Sequence, residues 1–112
     1  MGLLRKISKN ISGGMRIMEF EFTTLENEEF AFRCEENGEV IAEISWTMLG
    51  DVMVMEHTFV SPTLRGQGVA KKLLDQAAEY AREHDYKMEP ICSYVVTAFE
   101  RYKEYDDVKV QV

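Results

Sequence analysis

The residues with the clearest chemical meaning are Ser61-Pro62-Thr63-Leu64-Arg65-Gly66-Gln67-Gly68-Val69-Ala70. Pro62 stops a preceding strand from simply continuing. Gly66 and Gly68 let the backbone turn sharply and bring its N–H groups close to a ligand. An amphipathic pattern follows, so a helix begins here with unpaired amides and a positive dipole end. That is an anion site suited to a pyrophosphate, with the positive charges of Arg65 and Lys71 beside it. A triphosphate loop needs Gly-x-x-x-x-Gly-Lys-Ser/Thr, which is absent. A dinucleotide fingerprint fails too, although Glu89 follows at a suitable distance: Lys71 occupies the third glycine position, and the chain has only one strand–helix–strand unit. A plain glycine-rich turn is the alternative that spacing alone leaves standing.

The second group is Cys92, His57 and Glu56. Cys92 falls at the end of a short predicted strand, just before Ser93, a candidate cap for the last helix. A helix N-terminus favours a thiolate. His57 lies on the neighbouring strand, and a Cys/His pair is an activated nucleophile. The plainer reading makes Cys92 a small core residue and His57 a satisfied sheet histidine. Strand alternation sends Glu56 to the face opposite His57. His84, at a helix end, reads as a favourable C-terminal charge. Cys34, Cys92, His57 and His84 have no zinc spacing. Trp46, Met48, Met53 and Met55 read as core.

The elements that must position these groups change period midway. Met18–Thr23 and Glu28–Cys34 alternate aromatic and polar residues, as half-buried strands do. Asn37-Gly38 predicts a type I′ hairpin turn into a return strand over Val40–Met48. A second turn at Gly50-Asp51 leads to Val52–Val60, apolar on both faces like a central strand. From Gly66 to His84, Val69, Leu73, Ala77 and Ala81 recur every four residues and predict a helix. Lys87–Ile91 reads as a parallel strand reached by a right-handed crossover. A last helix over Tyr94–Tyr102 and a short strand over Val108–Val112 complete the chain.

With 112 residues the chain forms one domain. Residues 1–15 read as a flexible basic arm ending in Ser12-Gly13-Gly14, and 16–112 as the folded domain. Leu4, Ile7 and Ile11 could line one face of a short helix in that arm. No apolar run reaches the length of a membrane helix, and no secretory signal pattern is present, so the expected address is the cytoplasm, with reduced cysteines. The net charge of −7 argues against a nucleic-acid partner. Beyond residue 16 nine basic residues face twenty acidic ones, a balance that attracts cationic amines.

Arg65-Gly66-Gln67-Gly68-Val69-Ala70 matches Arg/Gln-x-x-Gly-x-Gly/Ala, and in that respect the chain resembles the GNAT acetyltransferase superfamily. The loop sits where that family places it, after the long strand and opening the long helix. Glu56-His57-Thr58-Phe59-Val60 and Pro90-Ile91-Cys92-Ser93-Tyr94 narrow the resemblance to the very small YjdJ-type subfamily, over about Met18–Val108. The resemblance implies the GNAT acyl-CoA N-acyltransferase fold, an α+β (α/β) arrangement. Its twisted sheet is mixed and mostly antiparallel, with one long helix and a short C-terminal one. It implies acetyl-CoA as cosubstrate, with no metal. The amides of Arg65, Gly66, Gln67, Gly68, Val69 and Ala70, with Lys71 beside them, would hold the pyrophosphate. The backbone of Phe59 and Val60 would pair with the pantetheine arm, where the strands splay. The family pattern also has Cys and His at positions 92 and 57, which makes them the candidate catalytic pair, although GNAT enzymes often use a Glu on this strand as base. The implied activity is acetyl transfer to a primary amine such as a protein lysine or a polyamine, directly or through an acetylated Cys92. Only Thr24–Asn27 separates the first two strands, too few residues for a helical lid, so the amine side should be open. A non-catalytic acyl-CoA-binding module would keep the loop and need neither Cys92 nor His57.

Overall fold

A computed structural model describes residues 18–111. The basic arm expected over residues 1–15 lies outside the described residues. The elements are β1 (Glu21–Leu25), β2 (Glu29–Glu36), β3 (Glu39–Leu49), β4 (Val52–Val60), α1 (Val69–His84), β5 (Lys87–Pro90) and α2 (Ser93–Arg101). They form one five-stranded sheet in the order β1-β2-β3-β4-β5. The first three pairings are antiparallel, and β4 pairs with β5 in parallel. This is the mixed, mostly antiparallel sheet that the sequence predicts. The β2–β3 turn is made by Asn37 (φ 54°) and Gly38 (φ 80°), the pair of left-handed residues a type I′ turn requires. Only a single 3₁₀ turn, Glu26–Glu28, joins β1 to β2.

Most boundaries fall within one to three residues of expectation, and three differences bear on the packing. β1 begins at Glu21, opposite Arg33, and just beyond that position the β2–β3 pairing shifts register after Cys34, with Ile41 of β3 as the extra residue. Met18 and Phe20 instead pack against the core without pairing. The last helix is capped by Cys92, with Ser93 as its first residue and no side-chain cap. The expected strand over residues 108–112 reduces to one parallel bridge, Met88 to Lys109. It is held by Met88 N–H to the Val108 carbonyl at 2.7 Å and Val110 N–H to the Met88 carbonyl at 3.1 Å.

One face of the sheet carries the core. Phe32, Ile44, Trp46, Met53, Met55 and Met88 meet Leu73, Leu74, Ala77, Ala78 and Ala81 of α1, with Val95 and Phe99 of α2 in the same cluster. Each fully buried large aliphatic chain contributes about 1.5–3 kcal/mol, so this face supplies most of the driving force for folding. Trp46 is its centre. Its ring lies 5.5–6.3 Å from those of Phe22, Phe30, Phe32 and Tyr80, and its buried indole N–H has no hydrogen-bond partner among the described residues. Neither helix packs on the opposite face. That face presents the Arg33–Glu43 ion pair (2.6 Å) together with Ser45, Thr47 and His57.

A polar clamp joins α1 to the turn after α2. Tyr105 donates its hydroxyl to Asp75, and the Lys71 ammonium reaches Glu104 and Asp75 above the rings of Tyr102 and Tyr105. Burial, then the bond to Asp75, pushes the Tyr105 phenol well above its ordinary pKa. Further along, Arg82 holds Asp107 at 2.7 Å and keeps its carboxyl below the usual carboxylate range. The depressed value means that this contribution is present above the ordinary aspartate pKa and lost as pH falls through the lowered one. The pair is largely exposed, so the effect is small.

Candidate active site

Strand β4 contains a bulge. His57 stands opposite Ser45, and Met55 opposite Trp46, so Glu56 is an extra residue without a partner. Before it, Met53 and Met55 turn into the core. After it the parity changes. Thr58 and Val60, which face Ile44 and Ala42, lie on the core side, and His57 and Phe59 lie on the open side.

The backbone changes direction at the same point. The Met55 carbonyl points at β5 and accepts from Ile91 (3.2 Å) and Cys92 (2.9 Å). Ser61 N–H donates to the Ile41 carbonyl at 2.8 Å, so by alternation His57 and Phe59 also direct their backbone at β3. Thr58 and Val60 then direct theirs to the other side. There β5 has already ended, since Met55–Pro90 is the last paired position. The result is a slot between the diverging ends of β4 and β5, with a strip of unpaired strand edge along one wall. An extended amide-containing chain is the ligand such an edge pairs with.

Cys92 sits at the closed end of this slot, at the N-terminus of α2. Its Sγ lies 3.2 Å from Thr58 Oγ1. The expected Cys92–His57 pair is not formed, because the bulge puts Thr58 on the side of Cys92 and leaves His57 exposed on the opposite face. Glu56 does not oppose His57 either. It accepts a hydrogen bond from Thr47 Oγ1 at 2.9 Å, and Thr47 belongs to the open face, so Glu56 and His57 flank the slot together from that side. Of the expected pantetheine contacts, Val60 faces the slot with its backbone. Phe59 faces β3 and exposes its ring on the open face. Thr58 was missed by the sequence reading. The signal for it was two successive polar residues, Glu56 and His57, interrupting an apolar strand.

The loop lies at the other end of the slot. Ser61 accepts from Thr63 N–H (3.4 Å), Leu64 N–H donates to the Ser61 carbonyl (2.9 Å), and buried Leu64 anchors the turn in the core. Gly66 (φ 82°) and Gly68 (φ 71°) take left-handed conformations that cost other residues about 1–2 kcal/mol. A Cβ at either position would meet nothing within 4 Å, so the need for glycine is conformational and the space above the loop is open. The first hydrogen bond of α1 runs from Lys72 N–H to the Gly68 carbonyl at 3.1 Å. The amides of Val69, Ala70 and Lys71 therefore precede the helical ladder and remain available to an anion. Arg65 and Gln67 are exposed beside them. Lys71 departs from expectation. Its ammonium is taken by Glu104 and Asp75, and the bond to Glu104 raises its pKa strongly. It contributes its amide to the anion site, and its charge serves the clamp.

The site thus has open amides and, among the described residues, an exposed arginine without an ion pair at one end, an unpaired strand edge between, and a thiol at the far end. A separate cleft of about 370 Å³ lies between β5, α2 and the C-terminal segment. Glu89 and Glu100 line it with Lys109, whose ammonium is paired with Asp106 at 3.0 Å, so the cleft's net charge does not favour a pyrophosphate.

Comparison with known proteins agrees with this geometry. A family model described as GCN5-related N-acetyl-transferase matches residues 29–108. A GCN5-like protein from Staphylococcus aureus, solved by NMR in solution, is 31% identical, with 82% of this chain matching 89% of that one at a TM-score of 0.63. A ribosomal-protein-alanine N-acetyltransferase from Brucella melitensis is 21% identical over 80% of this chain and 69% of its own, at a TM-score of 0.54. An aminoglycoside acetyltransferase from an uncultured soil metagenomic sample is 14% identical over 78% and 63%, at 0.53. The last two share the fold. The family model spans most of the chain, and the chain belongs to the GCN5-related N-acetyltransferase family.

Proposed function

We propose that this chain transfers an acetyl group from acetyl-CoA to a primary amine in the cytoplasm. The observation that carries the reading is the single line formed by the Gly66–Ala70 loop, the free edge of Thr58 and Val60, and Cys92. Pyrophosphate, pantetheine and thioester fall on it in the order they have in the molecule. In the two-step route the Cys92 thiolate attacks the thioester carbonyl, the bond to the CoA sulfur breaks, and CoA leaves as a thiolate that takes up a proton. The amine, having lost its own proton, attacks the new thioester and releases Cys92. In the direct route the amine attacks acetyl-CoA itself. A backbone N–H on the β4 edge would hold the oxyanion in either case.

His57 and Glu56 stand on the open face, away from Cys92. Their role in this reading is at the acceptor: Glu56 attracts the ammonium, and His57 takes its proton. Among the described residues no helix covers the acceptor side around the exposed Glu56 and His57, which suits an amine displayed on something larger, a protein lysine or N-terminus, or a polyamine. The acidic balance of the chain favours cationic acceptors.

Three outcomes are expected. Gly68→Glu abolishes CoA binding by calorimetry, because it sets a carboxylate against the pyrophosphate. Gly68→Ala carries the same backbone strain of about 1–2 kcal/mol and retains measurable binding. Equal affinity of Gly68→Glu and parent would remove the pyrophosphate from this loop. Cys92→Ala keeps CoA affinity while CoA release with an amine panel falls at least about tenfold; unchanged turnover would leave direct attack as the route. Finally, transfer to lysine-rich peptides or polyamines weakens as ionic strength rises, since exposed charges are screened over about 8 Å at physiological salt. A small neutral amine preferred at every salt concentration contradicts the acceptor assignment.

A further inference from the structure

We propose that Thr58 is the positioning residue for Cys92, its hydroxyl holding the sulfur toward the slot and donating to it when it is a thiolate. The proposal rests on the reading that Cys92 lies at the reacting end of the slot. Among the described residues each of the two side chains has the other as its hydrogen-bond partner, at 3.2 Å. The backbone of Cys92 is fixed on both sides: its N–H donates to the Met55 carbonyl at 2.9 Å, and its carbonyl accepts from Val96 N–H at 3.0 Å. The thiol rotor is therefore the only part of Cys92 left to orient. Thr58 is well built for that task. A β-branched side chain in a strand has few χ1 choices, and pairing with Ile44 across β3 places it on the core side. Its hydroxyl thus has a fixed direction in a half-buried setting. There a hydrogen bond to an ionised acceptor is stronger than one between neutral groups.

A core threonine that merely satisfied itself would bond to a backbone carbonyl of its own strand. Thr58 instead crosses from β4 to the residue at which β5 becomes α2, 34 positions away in sequence. The parity change at Glu56 makes this possible. Without it position 57 would have the core-side orientation.

The test compares Thr58→Val, Thr58→Ala and Thr58→Ser in the full chain. The first readout is the rate of iodoacetamide alkylation at Cys92, resolved from Cys34 by peptide mapping. The second is acetyl transfer split into kcat and KM for acetyl-CoA. Ala and Ser differ by one oxygen atom, so the comparison survives if Val disturbs packing. The expected result is that Val and Ala slow alkylation about tenfold and lower kcat with little change in KM, and that Ser restores both. Alkylation at the parent rate in all three overturns the proposal. So does a Ser variant as slow as Ala, which would make the lost methyl the cause. Slowed alkylation in Val and Ala with parent-level transfer supports the hydroxyl's hold on the sulfur and removes Cys92 from the reaction, so it overturns the two-step reading instead.

Discussion

The site depends on one extra residue in a strand. Glu56 has no register partner in β3, and every later position of β4 is displaced by one from the alternation before it. Three consequences follow together. The Met55 carbonyl closes the β4–β5 pairing, the edges of Thr58 and Val60 are released into the slot, and Thr58 turns to the side where Cys92 lies. A bulge also bends its strand, which favours the divergence from β5.

Charge is divided along α1 with similar economy. The first turn offers uncompensated amides to an anion, while Lys71, one of the two lysines in that turn, is drawn sideways into Glu104 and Asp75. The clamp fixes the helix that carries the loop against the segment that follows α2, with Tyr105 buried between them. In the proposed reading, affinity for a pyrophosphate rests on backbone dipoles held in place by Leu64 and the two glycines, with the exposed Arg65 and Lys72 nearby. The sheet is divided too. One face is filled with aromatic and aliphatic side chains under both helices. The other keeps polar groups such as Arg33, Glu43, Thr47 and His57; in the proposed reading a donor in the slot and an acceptor from that face meet from opposite sides.

Much of this was legible in the sequence. Val52–Val60, the end of α1 at His84 and the Asn37-Gly38 turn are set by local signals: a long apolar run, a four-residue repeat, and two residues tolerant of positive φ. The glycine loop was readable for the same reason. What escaped was non-local. Lys71 finds Glu104 33 residues away, and nothing near Lys71 marks that partner. The bulge is a mismatch between two strands, and it is absent from either strand taken alone. Strict alternation over Glu56-His57 therefore assigned His57 to Cys92, when Thr58 is the residue that meets it. Cys92 rather than Ser93 caps α2 because its backbone is tied to Met55 before the helix starts.

The central claim is that acetyl-CoA lies along the line from the loop to Cys92. Titrating acetyl-CoA into ¹⁵N-labelled protein and following the backbone amides by NMR tests it most directly. The account predicts the largest shifts at Gly66, Gly68, Val69, Ala70 and Lys71, continuing through Thr58 and Val60 to Cys92, with Glu100 and Lys109 undisturbed. Shifts confined to the cleft between β5, α2 and the C-terminal segment, with the loop amides unmoved, would contradict it.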